Sequence, residues 1–128
     1  LARIRTSEVV AKALHPLFAA RVIATCAIID LEVCYSARDY DHYQRILRAQ
    51  RQCITLPVDE QVQMRAGAVQ QELVMKGQHR GVCPNDLLIA ACAEVHGATI
   101  LHYDRDFDVI AEVTGQSSLW VVPPGSVS

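Results

Sequence analysis

Carboxylates stand in three separated segments of the sequence, at positions from which they could act together. Asp86 falls in the first turn of a predicted helix, and Asp104 comes shortly after an apolar run at residues 98–101, with Asp106 two residues beyond it. Glu32 lies within an earlier predicted helix. Carboxylates gathered in one place repel one another unless a cation neutralises them, and oxygen ligands of this kind suit Mg²⁺ or Mn²⁺. A cation held in this way activates water for in-line attack at phosphorus.

Each of these acids also has an ordinary structural explanation. Asp86 at a helix start complements the helix dipole, an effect of about 0.3–1 kcal/mol. Asp104 is well placed to cap the short helix predicted after it. Glu32 has apolar neighbours at helical spacing, so it either reaches water at the rim or turns inward onto a cation. Taken singly, the structural explanation is the simpler one for each acid, and their combination is what favours a metal site.

Residues 84–107 form the stretch that would position two of these acids. Pro84 suits the first position of a helix, and the residues that follow are apolar nearly all round, which predicts a buried helix. Gly97 is a ready left-handed cap at its end. Residues 98–101 then predict a parallel strand covered on both faces. Because ligand sites in open α/β sheets lie beyond the carboxyl ends of strands, Asp104 is where chemistry is expected.

Helix and strand patterns alternate along the rest of the chain. The first helix is predicted to be capped at Thr6 or Ser7, with His15-Pro16 ending or kinking it. Further helices are predicted after Thr25, Asp39 and Asp59, and short strands over residues 22–24, 53–58 and 119–122. The helix after Asp59 carries an apolar stripe of Val62, Ala66, Val69 and Leu73. This alternation predicts an α/β fold with a parallel sheet and helices on both of its faces.

Size and composition are typical of one globular domain over residues 1–128. Of the 128 residues, 51% are hydrophobic and 20% charged, and no apolar run approaches the roughly 20 residues of a membrane span. The five cysteines include no C-x-x-C pair, which favours structural thiols in a cytoplasmic protein over disulfides or a zinc site. The net charge of −2 argues against a generalised basic clamp for nucleic acid but permits a local site.

Two runs of sequence resemble the PIN-domain ribonucleases. They are PNDLLIAACA at residues 84–93 and ILHYDRDF at residues 100–107, and they are most similar to the toxin subunits of bacterial VapBC-type toxin–antitoxin pairs. Upstream, IDLEV at residues 29–33 resembles the family's helix that carries a metal-binding glutamate. The resemblance extends over essentially the whole chain. It implies the PIN-like fold, a three-layer α/β/α arrangement with a mainly parallel central sheet.

The resemblance also implies a function, that of an endoribonuclease dependent on Mg²⁺ or Mn²⁺. A metal-activated water would attack an RNA phosphodiester bond. Glu32, Asp86 and Asp104 match the family's catalytic acids and metal ligands, and Asp106 would be a supporting metal-binding carboxylate. The partners implied are an RNA substrate, a cognate VapB-type antitoxin and a second copy of the chain in a homodimer, with no membrane involved.

Basic and aromatic residues supply candidate contacts for these partners. Arg80 and Arg105 flank the predicted acidic site and are candidate contacts to substrate phosphates, although a solvated surface position is the ordinary role of such residues. Arg3 and Arg5 are candidates of the same kind. The histidines His79 and His102 are possible proton carriers that a metal-activated water does not require. Three tyrosines form either a docking surface for an antitoxin segment or part of the core: Tyr35, Tyr40 and Tyr43.

One feature of the PIN family has no counterpart in the printed residues. The family carries a further essential aspartate just after its first strand, which is central in the sheet, and residues 1–5 contain neither an acid nor a strand pattern. The expectation is therefore a domain that is N-terminally incomplete as written, its central strand lying upstream. The alternative function is a catalytically silent PIN-like module that binds RNA or protein. A Rossmann-like binder of small ligands is disfavoured, since no glycine-rich phosphate loop follows a strand.

Overall fold

The computed structural model describes residues 8–126 of the chain. Within that range six α-helices, one 3-10 turn and four short strands follow one another. Their bounds are α1 (Glu8–Ala19), β1 (Ala24–Thr25), α2 (Ala27–Tyr35), α3 (Tyr40–Arg51), β2 (Ile54–Thr55), α4 (Glu60–Met75), the 3-10 turn (His79–Gly81), α5 (Pro84–Val95), β3 (Ile100–His102), α6 (Arg105–Thr114) and β4 (Ser118–Trp120). The predicted cap at Thr6 or Ser7 and the arginines Arg3 and Arg5 lie outside the described residues.

The strands confirm the α/β class and the parallel direction predicted for it. β1 pairs with β2, and β3 pairs with β4, both in parallel, so that residues 8–126 contain two separate two-stranded sheets. Each strand has only two or three residues and is shorter than or shifted from its prediction. Pro57 lies just beyond β2, so that its missing N–H does not interrupt the hydrogen bonds between β1 and β2. No helix within residues 8–126 is long and apolar enough to cross a membrane.

The chain divides into two compact units, of which one comprises Pro57–Trp120. Its core is formed by α4, α5 and α6, which pack on one another. The stripe predicted on α4 is buried as expected, and α5 is buried over most of its length, as its apolar sequence indicates. The buried residues of these helices are Val62, Ala66, Val69, Leu73, Leu87, Ile89, Ala90, Ala91, Cys92, Ala93, Phe107 and Ile110.

β3 in this unit differs from its prediction in one respect. Ile100 and His102 are buried, whereas Leu101 between them is 40% exposed. Successive side chains of a strand point to opposite faces, so β3 is covered on one face and not on both. The prediction, made from the apolar run at residues 98–101, of a strand buried on both faces is therefore wrong.

An ion pair joins α4 to α5 at the edge of this core. Arg65 donates from Nε to Oε1 of Glu94 and from Nη2 to Oε2 at 3.2 Å, and these bonds raise the pKa of the guanidinium. The two side chains remain 33% and 24% exposed. Solvent therefore screens the pair, and its contribution to stability is modest.

Replacing Glu94 with glutamine is expected to lower the free energy of unfolding by only about 0.5–1 kcal/mol. Urea unfolding at low and high salt checks this, and the difference from the unaltered chain should shrink at high salt because the attraction is screened. Glu72→Gln is a matched control on α4. Glu72 raises the pKa of Arg65 through its charge, whereas Glu94 does so mainly through a hydrogen bond. A loss above about 2 kcal/mol for Glu94→Gln would contradict a mainly surface role.

The other unit comprises Leu1–Leu56 with Val121–Ser128. Its first helix does not end at His15-Pro16 but continues to Ala19. Pro16 lacks only its own N–H, and its carbonyl still accepts the Ala20 N–H at 3.0 Å. The helix predicted to be capped by Thr25 instead begins at Ala27, with Cys26 in the cap position.

Thr25 does not cap that helix because its hydroxyl is engaged elsewhere. It lies buried in β1 and donates to Asp30 Oδ1 at 2.8 Å. Gln50 Nε2 donates to the same two groups, at 3.2 Å to Thr25 Oγ1 and 2.9 Å to Asp30 Oδ1. The helices predicted after Asp39 and Asp59 are confirmed, and each of these residues caps its helix: Asp39 accepts the His42 N–H at 2.8 Å, and Asp59 accepts the Val62 N–H at 3.0 Å.

Candidate metal centre

The start of α5 supplies the first acid of the site. Pro84 occupies the first helical turn as predicted, after Cys83 in extended conformation, and Asp86 follows in the same turn. The buried Val82 anchors the segment that enters this helix from the 3-10 turn. Asp86 is half-buried, and its position depends on a helix whose body is packed in the core.

The connection from β3 to α6 consists of only two residues, Tyr103 and Asp104, and together with the first turn of α6 it supplies two further acids, Asp104 and Asp106. Asp104 caps α6, its Oδ1 accepting the Asp106 N–H at 2.9 Å, which is the structural role that the sequence allowed for it. Asp106 in turn accepts the Cys83 N–H on its Oδ2 at 3.1 Å. These bonds orient both carboxylates and connect the start of α6 to the start of α5.

The structure brings Asp86, Asp104 and Asp106 together. One ligand oxygen from each lies within 4.8 Å of the others, and we refer to these three residues as the acidic cluster. Asp104 is exposed and the other two are half-buried, so a bound ion would retain water. An all-oxygen donor set with access to water fits Mg²⁺ or Mn²⁺ and fits zinc poorly. The three acids therefore lie at helix starts, as the structural explanation predicted for Asp86 and Asp104, and they are also neighbours in one site.

Glu32, the fourth predicted acid, is placed differently. It lies half-buried in α2, in the unit that contains residues up to Leu56, and among the described residues the acidic cluster does not include it. Its assignment as a metal ligand stays a prediction. Arg105 is exposed at the start of α6 and Arg80 is exposed in the 3-10 turn, and their contacts with substrate likewise stay predictions.

His102 belongs to the site although the sequence favoured no role for it. It is the last residue of β3, only 3% exposed, and its Nδ1 accepts the Asp104 N–H at 3.1 Å. Burial lowers the pKa of the imidazole, and the nearby carboxylates of Asp108 and Asp104 only partly oppose this. The available signal was its spacing of two residues from Ile100, which places both side chains on the same face of the strand.

Comparison with protein families and with known proteins gives consistent matches, to the PIN domain and to proteins named VapC ribonucleases. A family model described as PIN domain matches residues 2–113. The chain is 42% identical to Ribonuclease VapC51 of Mycobacterium tuberculosis over 118 residues, which are 92% of this chain and 85% of that protein. It is 40% identical to Ribonuclease VapC21 of the same species over 114 residues, or 88% of this chain and 83% of that protein.

Two solved structures share the fold at low sequence identity. One is DNA-bound VapBC from Salmonella typhimurium, with a TM-score of 0.70 and 21% identity over 93% of this chain and 89% of that chain. The other is VapBC2 from Rickettsia felis bound to a DNA fragment from its promoter, with a TM-score of 0.71 and 20% identity over 92% and 89%. At such identities the likeness concerns the fold alone.

Proposed function

Because this chain belongs to the PIN domain family, we propose that it is a metal-dependent ribonuclease whose active site is built on the acidic cluster. The observation that carries the proposal is the approach of three carboxylates to within 4.8 Å at the starts of two helices. Such a group is electrostatically unfavourable without a cation. Two relatives that are 42% and 40% identical to this chain are named ribonucleases, which supports the choice of RNA as substrate.

The roles proposed for the residues rest on their chemistry and, for Glu32, on the resemblance of its segment to the family's metal-binding helix. Asp86, Asp104 and Asp106 hold Mg²⁺ or Mn²⁺, with Glu32 as a further ligand. When bound, the cation supplies a nucleophilic water at neutral pH and stabilises charge at the phosphorus of an RNA phosphodiester. Arg80 and Arg105 bind the phosphates of the RNA backbone through charge-assisted hydrogen bonds.

Removal of divalent metal tests this proposal. Cleavage of an RNA oligonucleotide is expected to stop in EDTA and to return when Mg²⁺ or Mn²⁺ is restored in excess, since the carboxylates supply no nucleophile without the cation. The circular dichroism spectrum recorded in EDTA shows whether the helices persist, which separates loss of metal from loss of fold. Cleavage that continues in EDTA would exclude the metal mechanism. Binding of RNA with no metal-dependent cleavage would favour the silent module.

An antitoxin of the VapB type is the proposed protein partner. The solved relatives of similar fold are VapBC complexes, and this chain presents exposed apolar side chains on α2 and α3. Tyr35 is 92% exposed and Tyr40 70%, and the Tyr40 ring stacks on that of Tyr43 with centroids 6.2 Å apart. Exposure argues against the alternative of core residues for Tyr35 and Tyr40. The three tyrosines and Leu31, which is 71% exposed, are proposed as the docking surface.

The double variant Tyr35→Ala with Tyr40→Ala is expected to weaken antitoxin binding roughly tenfold or more, because large exposed aromatic side chains commonly supply the binding energy of an interface. Isothermal titration with the purified antitoxin measures the change. Phe18→Ala, which removes a 41% exposed aromatic ring from α1, is the matched control and should bind as the unaltered chain does. Equal affinities for the double variant and the unaltered chain would remove this surface from the proposal.

Homodimerisation and a cytoplasmic location complete the proposal. Light scattering of the purified chain is expected to give twice the 14.1 kDa mass of one copy. The cysteines are free thiols, the state that a reducing compartment maintains.

A further inference from the structure

His102 connects the buried end of β3 to the acidic cluster. Its Nδ1 accepts the backbone N–H of Asp104 at 3.1 Å, in the two-residue connection that leads into α6. We propose that His102 is a positioning residue, which fixes the backbone of Asp104 and through it the acidic cluster in the arrangement that binds a divalent cation. This inference depends on the proposed function for the existence of the metal site.

The surroundings of the ring are those of an apolar side chain. Phe107 and Trp120 pack on it with centroid distances of 5.2 and 4.9 Å, and Trp120 is also its partner in the β3–β4 ladder. These neighbours restrict rotation of the ring, so that Nδ1 stays directed at the Asp104 N–H. Because that N–H donates, Nδ1 is the unprotonated nitrogen and the ring proton is on Nε2.

The second ring nitrogen of His102, Nε2, makes a histidine energetically unfavourable at this position. It is buried and has no hydrogen-bond partner among the described residues, since the nearest carboxylate oxygen, Asp108 Oδ1, lies 3.8 Å away. Asp108 is itself held by Trp120 Nε1, at 3.1 Å to each oxygen. A phenylalanine would fill the same space without an unsatisfied nitrogen, and buried polar groups without partners are uncommon. What the imidazole adds is the acceptor Nδ1.

That acceptor begins a series of three hydrogen bonds through the site. The Asp104 N–H donates to His102 Nδ1, the Asp106 N–H to Asp104 Oδ1, and the Cys83 N–H to Asp106 Oδ2. Each bond fixes a backbone or carboxylate group on which the next one depends. Loss of the first bond leaves the Asp104 N–H without its acceptor. The backbone that carries the Asp104 carboxylate is then no longer fixed in position.

Three variants of the full chain separate positioning from packing, with Mn²⁺ binding measured by electron paramagnetic resonance. His102→Phe keeps an aromatic ring and removes the acceptor. Removal of the unsatisfied Nε2 offsets the loss of the bond to the Asp104 N–H, so we expect little change in thermal stability, with Mn²⁺ affinity lowered about tenfold or more. His102→Asn removes the ring but keeps an acceptor on the same side-chain position, and is expected to bind Mn²⁺ nearly as the unaltered chain does. His102→Leu matches asparagine in shape without the acceptor and should bind as weakly as His102→Phe.

The order of affinities decides the outcome independently of stability. If His102→Phe binds Mn²⁺ like the unaltered chain, or if the asparagine and leucine variants lose affinity equally, His102 is a packing residue and the inference is wrong. If His102→Phe does not fold, the asparagine–leucine comparison still tests the acceptor. A failure of the unaltered chain to bind Mn²⁺ would instead overturn the proposed metal site itself, and this inference with it.

Discussion

Asp104→Asn is expected to reduce RNA cleavage at saturating substrate by roughly 100-fold or more, the range found when one electrostatic contributor to a transition state is removed. Asparagine caps helices about as well as aspartate, so its side-chain oxygen can still accept the Asp106 N–H that Asp104 accepts at 2.9 Å. The change therefore removes a negative charge from the acidic cluster and leaves α6 capped. Single-turnover cleavage of an RNA oligonucleotide in Mg²⁺ measures the loss.

Asp59→Asn provides a control of the same chemistry. Asp59 caps α4 by accepting the Val62 N–H at 3.0 Å, is exposed, and lies outside the acidic cluster. The same substitution in the same structural role should leave cleavage close to that of the unaltered chain. Equal losses in the two variants would show that capping, and not metal binding, explains the effect at Asp104. Asp86→Asn, in the first turn of α5, is expected to match Asp104→Asn.

Leu73→Ala is expected to give the largest loss of stability from a single substitution in α4, about 2–5 kcal/mol. Leu73 is completely buried in the core that α4 forms with α5 and α6, and close-packed helices collapse only partly around a missing side chain. Urea unfolding followed by circular dichroism gives the free energy.

The neighbouring Val74→Ala is the matched control, because Val74 is 50% exposed and its truncation opens no cavity in the core. Its effect should stay within about 0.5 kcal/mol, as is usual for surface positions. A similar cost for both variants would mean that the helix itself, and not the packing of its buried face, limits stability.

The helix starts were predictable because their causes are local. Pro84 and Asp59 begin helices for reasons of backbone geometry and capping that a short stretch contains in full, and both predictions are confirmed. Placing Asp86 near Asp104 required only the rule that ligand sites lie beyond strand ends, together with the resemblance to a family. Asp86, Asp104 and Asp106 are brought together, whereas the cluster found among the described residues does not include Glu32.

The failures depend on contacts that no local pattern contains. Thr25 has the chemistry of a helix cap, but Asp30 and Gln50 take its hydroxyl, and Gln50 is 25 residues away. His102 could be placed on the face of Ile100 by spacing, yet its bond to the Asp104 N–H depends on how the chain turns at Tyr103. For Thr25 the role depends on a partner distant in the sequence, and for His102 on the local path of the backbone; residue types and spacing predict neither.

The bond from the Cys83 N–H to Asp106 has a thermodynamic consequence. It spans 23 residues and ties the segment before α5 to the first turn of α6, the two places from which the carboxylates of the acidic cluster come. An ion bound by those carboxylates, as proposed, would favour the arrangement in which this bond holds the two helix starts together. By reciprocity, closure of the two helix starts would raise the affinity for the ion by the same factor by which the ion favours closure. Cation binding and the local opening of α5 and α6 are therefore expected to be linked, each changing the equilibrium of the other by the same factor.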